Sequence, residues 1–156
     1  MGLDMYLLRG KKEESPQNSE EIGYWRKANA IHRWFVDNVQ GGADDCEFHE
    51  VTKDHLKTLR NLCITIFDNV SLIPGKIANG YTVKNGEAIP NYIDGFVIDN
   101  QELCKELLPT QSGFFFGNTD YNQWYLQDIK QTLEIVIKAL NETDFDVEQL
   151  YYCSSW

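Results

Sequence analysis

Tyr24-Trp25-Arg26-Lys27-Ala28-Asn29-Ala30-Ile31-His32-Arg33-Trp34-Phe35 is a cationic, aromatic island in an acidic chain. It carries two Arg, one Lys and one His and no acid, whereas the whole chain has a formal charge of -10, which leaves the rest at -13. Its apolar positions decide the fold reading. At about 100° per residue, Tyr24, Ala28, Ile31, Phe35 and Val39 share one stripe, which predicts a helix from about Tyr24 to Gln40, stopped by Gly41-Gly42. On that helix a second stripe holds Trp25, Asn29, His32 and Val36, and Arg26 and Arg33 stand one above the other beyond it.

Outward from the island, periodicity and punctuation supply the other elements. Met1 to Arg9 alternates with Leu3, Met5 and Leu7 on one side and reads as a strand; Gly10 to Glu20 is polar and reads as a loop. Phe48 to Val51 reads as a short strand. Thr52 is an N-cap for a helix reaching about Val70, with Leu56, Leu59, Cys63 and Ile66 at core spacing. Between residues 71 and 100, Pro74-Gly75, Asn79-Gly80, Asn85-Gly86 and Pro90 punctuate the chain. Tyr81 to Ile89 predicts a hairpin with a two-residue turn, an excursion from the core suited to a lid or an oligomer contact. A short helix is expected near Gln101 to Leu108. A last one, capped by Asp120 with Gln123, runs to about Leu140, and Gln149 to Trp156 reads as a terminal strand. The sum is a single α+β domain over 1–156. About three main helices pack on a small, mostly antiparallel sheet that includes both terminal strands.

Composition narrows the function classes. A net charge of -10 and a pI near 4.6 argue against nucleic-acid polymers and anionic membranes as partners, because both need a basic face. Cys46, Cys63, Cys104 and Cys153 are widely spaced with no C-x-x-C pair, and no apolar run of 18 residues is present, so a reducing cytoplasm is the expected compartment.

No catalytic signature stands in the chain. His49-Glu50 is followed by His55 at the wrong spacing for H-E-x-x-H, and there is no Walker A loop, no G-x-G-x-x-G and no G-x-S-x-G. No metal or cofactor is expected. The island itself has the chemistry of a binding site: guanidinium and ammonium groups hold an anion, and indole stacks on a flat ring. Trp25, Arg26, Asn29, His32 and Arg33 are the candidate ligand-binding residues. Two secondary features remain. Gly113 to Asp120 is either an anion-binding turn or a tight connection with its three Phe in the core. Asp128 and Thr132, one turn apart, form a solvated face or hydrogen-bond a ligand.

Met1-Gly2-Leu3-Asp4-Met5-Tyr6-Leu7, Gly23 to His32 and Tyr151-Tyr152-Cys153-Ser154-Ser155-Trp156 together resemble a family of small bacteriophage and prophage proteins. The resemblance carries over no activity and no catalytic residue. It implies a counter-defence role in the host cytoplasm, in which a sponge sequesters a nucleotide-derived signal without turning it over. The expectation is therefore a non-enzymatic binder of an anionic, ring-bearing small molecule, with a homo-oligomeric site accommodating island residues that point apart on one helix. The alternatives are a hydrolase or phosphodiesterase of the same ligand, using His32 or His49, and a protein-binding inhibitor.

Overall fold

The computed structural model describes residues 2–156. Among them a four-stranded antiparallel sheet has the order β2-β1-β6-β3, formed by β1 (Asp4–Lys11), β2 (Glu20–Arg26), β3 (His49–Val51) and β6 (Glu148–Ser155). The terminal strands pair in unbroken register from Asp4 opposite Ser155 to Lys11 opposite Glu148. Alternation then does the rest. Met5, Leu7, Trp25, Leu150 and Tyr152 point to one face and are buried, while Tyr6, Leu8, Tyr24 and Tyr151 point to the other and keep some exposure.

Three helices cover the buried face: α1 (Asn29–Asn38), α2 (Lys53–Asn69) and α4 (Gln123–Glu142), with the short α3 (Gln101–Leu107) beside α2. The fold class is thus α+β, with both terminal strands in the sheet. Thr52 caps α2 as its sequence suggests: its hydroxyl accepts from His55 N at 3.1 Å, and His55 Nδ1 accepts from Thr52 N at 3.1 Å. Helix α4 lies so close to β2 that a Cβ on Gly23 would meet Ile135 Cγ2 at 2.5 Å.

Four expectations are corrected. The island is not one helix. Glu20 to Arg26 is a strand, Lys27 turns the chain with a left-handed φ of 58°, and helix α1 begins only at Asn29. Tyr24, Ala28 and Ile31 mimic helical spacing across that junction. Yet Tyr24-Trp25 are strand-prone side chains that gain a partner at Tyr6-Met5 on β1. No side chain caps α1, so its true start leaves no local signal. Second, α4 is capped by Asn122, whose Oδ1 accepts from Trp124 N and Tyr125 N at 3.0 and 3.4 Å; Asp120 is free for other contacts. Third, the loop expected over 10–20 is shorter, since β1 runs to Lys11 and a 3-10 turn at Pro16–Asn18 leads into β2. Fourth, Phe67 of α2 and Ile137 of α4, expected at core spacing, lie on the outer side of their helices and are exposed.

The segment expected as an excursion is a long two-stranded hairpin, β4 (Leu72–Lys84) and β5 (Glu87–Ile98), which forms a sheet of its own. Its turn is Asn85-Gly86, with φ of 53° and 79°. These paired positive values match the right-handed twist of the strands. Its lower half meets the body: Ile98 N donates to Tyr121 O at 3.1 Å, Phe96 N donates to Gln123 Oε1 at 2.9 Å, and Ile77 is buried.

A cleft between the β2–α1 junction and the start of helix α4

The five candidate residues separate once strand and helix are assigned. Trp25 and Arg26, neighbours on a strand, point to opposite faces of the sheet. Trp25 is fully buried, its indole N–H donating to Thr132 Oγ1 at 2.9 Å, and it leaves no face open for stacking. Arg26 is exposed. Its guanidinium donates to Asp4 Oδ1 at 2.8 Å, and the Tyr24 hydroxyl donates to the same carboxylate oxygen. The Tyr24 hydrogen bond, helped by Arg26, holds the Asp4 carboxyl below its usual range.

Asn29 is buried and acts as a clamp. Its Nδ2 donates to Phe116 O and Asn118 O at 3.1 and 2.9 Å, and its Oδ1 accepts from Gln111 N at 3.0 Å. Both of its amide hydrogens and one of the two acceptor positions of Oδ1 are therefore spent on the 111–118 loop. His32 is likewise fully enclosed, with Tyr152 Oη 2.6 Å from Nδ1 and Asp44 Oδ2 2.8 Å from Nε2. Burial raises the Tyr152 phenol well above its usual range, so it keeps its proton beside Nδ1, while the Asp44 carboxylate on the other side can only accept. Nε2–H is then the donor to Asp44, which also accepts from the Trp156 indole at 3.0 Å. This chain fastens the 40–48 loop and the C-terminal strand to α1. Arg33 is the outlier: it donates to Thr110 O at 3.2 Å and lies near Asp37, outside the lining of the cavity that Arg26 borders. Two of the five, Arg26 and Asn29, border a common cavity.

That cavity has a volume of about 210 Å³. One wall is the β2–α1 junction, with Arg26, Lys27, Asn29 and Ala30; the floor and far wall are Asn118, Asp120, Asn122, Trp124, Tyr125 and Asp128. Lys27 is exposed, and among the described residues no carboxylate lies within ion-pair distance of its ammonium. Lys27, with its left-handed backbone, lines the cleft and packs its stem against Gly117, where a Cβ would meet Lys27 Cβ at 3.1 Å, while its Cε lies beside Gly2, where a Cβ would meet it at 3.0 Å. Gly117 has a φ of 87°, so both its conformation and its missing side chain suit that approach. On the opposite wall the Trp124 indole is 51% exposed. Below it, burial pushes the Asp128 carboxyl from 3.8 up to about 7, with no cation near enough to offset the effect. Asn122 is 2% exposed, and its Nδ2 has no hydrogen-bond partner. A buried donor without an acceptor is costly, and a ligand oxygen in the cleft would satisfy it.

From the sequence Asp128 reads as part of a solvated face or as a ligand hydrogen-bonding group and Lys27 as one of the anion-holding cations, whereas Trp124 and Asn122 are not singled out. Lys27 was legible as part of the island. Trp124 and Asn122 carry no local signal, because 97 residues separate Trp124 from Lys27 and only the fold brings them together. Of the three Phe expected inside, only Phe116 is buried; Phe114 is 81% exposed and Phe115 37%. Among the described residues no group of three or more His, Cys, Asp or Glu is placed to hold a metal ion, and no helix is long and apolar enough to cross a membrane. Comparison with known protein families, with curated proteins and with solved structures finds no match for this chain.

Proposed function

We propose that the protein is a non-enzymatic binding protein that captures an anionic, ring-bearing small molecule of the nucleotide-derived class, in the cleft between the β2–α1 junction and α4. The observation that carries this reading is the pairing, across one cavity, of the unpaired Lys27 ammonium with the half-exposed Trp124 indole. Lys27, with Arg26 at the rim, holds the anion; Trp124 stacks on the ring; Asn122 Nδ2 and Asn118 supply polar readout. Trp25 and His32 become supports of the site, and Asn29 positions its loop.

At about 210 Å³ the cleft is smaller than the roughly 300–1,000 Å³ of drug-sized pockets. It suits one ring with one anionic group, and a dinucleotide fits only with its second half outside or in a cleft shared with another copy. The resemblance of three sequence blocks to phage proteins supports a host signal as the ligand and sequestration in the host cytoplasm as the role. A second reading, a hydrolase or phosphodiesterase of the same ligand, is favoured by one observation. A carboxyl titrating near neutrality in a cleft is suited to general acid–base work, and Asp128 is such a group.

The test is incubation with mononucleotides, cyclic dinucleotides and ADP-ribose derivatives, followed by thermal-shift measurement and recovery of each ligand by heat denaturation. Capture predicts stabilisation and an intact ligand, with stabilisation lost in Lys27→Ala and Trp124→Ala and kept in Arg33→Ala. A chemically altered ligand, unaltered with Asp128→Asn, selects the hydrolase instead. No stabilisation by any member of the panel rejects both readings.

A further inference from the structure

The cleft holds more polarity than an anion needs. Arg26 and Lys27 on one wall are opposed by two carboxyl groups, Asp120 and Asp128, on the other, and Arg26 is already paired with Asp4. A bare phosphate entering between them would meet carboxylates as well as cations. The arrangement suits a ligand that is anionic at one end and rich in N–H donors at the other. The fold sets which end goes where, since Lys27 stands at the β2–α1 junction and Asp128 lies on α4, one turn beyond Trp124.

Asp128 is the least satisfied group in the cleft. Its backbone carbonyl accepts from Thr132 Oγ1 at 2.7 Å, but among the described residues nothing donates to its carboxyl oxygens. Neither a cation nor a hydrogen bond offsets the water it has lost. An ionised carboxylate only accepts, and its two oxygens are met best by two parallel N–H donors. Trp124 and Asp128 are four residues apart on α4, which makes their side chains neighbours, about 5–6 Å apart at Cβ. A flat ring lying on the half-exposed indole therefore brings its edge to that carboxylate. Asn122 is the third group. Its Oδ1 is committed to Trp124 N and Tyr125 N, which fixes the amide and leaves Nδ2 as a buried donor without an acceptor.

The nucleobases differ at the edge that such a site reads. Adenine and cytosine present one amino donor beside a ring-nitrogen acceptor, and uracil and thymine one N–H between two carbonyls. Guanine alone presents two adjacent donors, N1–H and the 2-amino group, followed by an acceptor, O6. We propose that the ring captured by the cleft is guanine, stacked on Trp124, with N1–H and the 2-amino group donating to the Asp128 carboxylate, O6 accepting from Asn122 Nδ2, and the phosphate held by Lys27. The assignment rests on the reading of the cleft as a nucleotide-capture site and adds the identity of the base. Only the edge of the base has to enter the cavity of about 210 Å³. The rest of the bicycle covers the exposed indole, and the ribose and phosphate run to the rim, where Arg26 and Lys27 stand. Paired donors on both carboxylate oxygens favour the ionised form and so offset what burial costs Asp128.

Isothermal titration calorimetry with GMP, IMP, AMP and inorganic phosphate tests this, at about pH 8, where a carboxyl of pKa about 7 is mostly ionised. IMP keeps O6 and N1–H and lacks only the 2-amino group. The wild type should bind GMP at least about tenfold more tightly than IMP or AMP, the discrimination that a bidentate base contact supplies. Inorganic phosphate should bind more weakly than GMP. Asp128→Asn replaces one acceptor by a donor and should bring the affinities for GMP and IMP to within about threefold of each other. GMP, IMP and AMP bound alike by the wild type overturn the guanine assignment and leave nucleotide capture standing. A GMP preference that survives in Asp128→Asn overturns the role of Asp128. Absence of binding by all three nucleotides overturns this assignment and the capture reading together. The comparison of GMP with IMP uses the unaltered protein, so it decides the question whatever the substitution does to folding.

Discussion

The Tyr24–Phe35 segment and the β4–β5 arm both carry aromatic side chains, and they are built oppositely. In the segment, Trp25, His32 and Phe35 have no exposed surface, and Trp34 only 6%. Phe35 stacks on Tyr152 with ring centroids 4.0 Å apart, and Trp25 meets Phe35 edge-on at 5.9 Å. In the arm, Tyr81 and Tyr92 have no such neighbours and stand in water. Aromatic density alone therefore does not mark a site. What decides is whether the fold has already covered the rings, and in the island it has covered all but the outward-facing Tyr24. The groups left open to the cleft are the ones the core did not use, Lys27 from the β2–α1 junction and Trp124 from α4.

That contrast can be broken in order of expected effect. Trp25→Ala should cost about 3–5 kcal/mol in chemical denaturation, the range for a buried Trp truncation, whereas Tyr81→Ser should change the stability of the isolated monomer by less than about 0.5 kcal/mol. Equal losses would mean that the arm is part of the core. Asn29→Ala, which removes three hydrogen bonds to the 111–118 loop, should cost about 2–3 kcal/mol. It should also speed amide exchange at Gln111 while leaving exchange in α2 unchanged. A uniform increase in exchange would show that Asn29 serves the whole core and not the cleft.

Asp128 gives the pH dependence. Its folded-state pKa, about 7, lies above its unfolded value near 3.8, so the native state binds the extra proton between them. Stability contributed by this group is present below about pH 4 and declines as pH rises to about 7. After discounting for solvent at this half-buried position the amplitude is about 2 kcal/mol. Asp128→Asn should flatten that part of the stability–pH curve; an unchanged slope would mean that the carboxylate is solvated. Smallest is Gly117→Ala, at about 1 kcal/mol for the left-handed φ. Its sharper effect should be on the Lys27 side chain, and so on ligand-induced stabilisation.

Much of the frame was legible locally. Thr52 announced α2 because a hydroxyl at that position satisfies an otherwise orphaned amide. Asn85-Gly86 announced the turn because both residues tolerate positive φ, and the alternation in Leu3, Met5 and Leu7 announced a one-sided strand. The island misled for an equally definite reason. A left-handed residue between a strand and a helix lets the apolar positions on either side fall at helical spacing, and Lys27 has no side-chain feature that declares its φ. Asp120 reads as the α4 cap because the Asp120–Gln123 spacing fits a capping box, whereas Asn122 Oδ1 accepts from the amides two and three residues on, Trp124 N and Tyr125 N.

By itself the chain determined its elements of regular spacing, its acidic surface, its α+β class and the pairing of its two ends, because periodicity, caps and turn residues act over a few positions. Which side chains are used up inside and which remain available is a different matter. It depends on the closing of the sheet over residues more than 100 positions apart, as when Trp25 meets Thr132 and His32 meets Tyr152. Only that closure took the Trp and His of the island out of reach of a ligand. The same closure brought Lys27 and Trp124 to one cleft, because burial is a property of what packs around a residue and not of the residue itself.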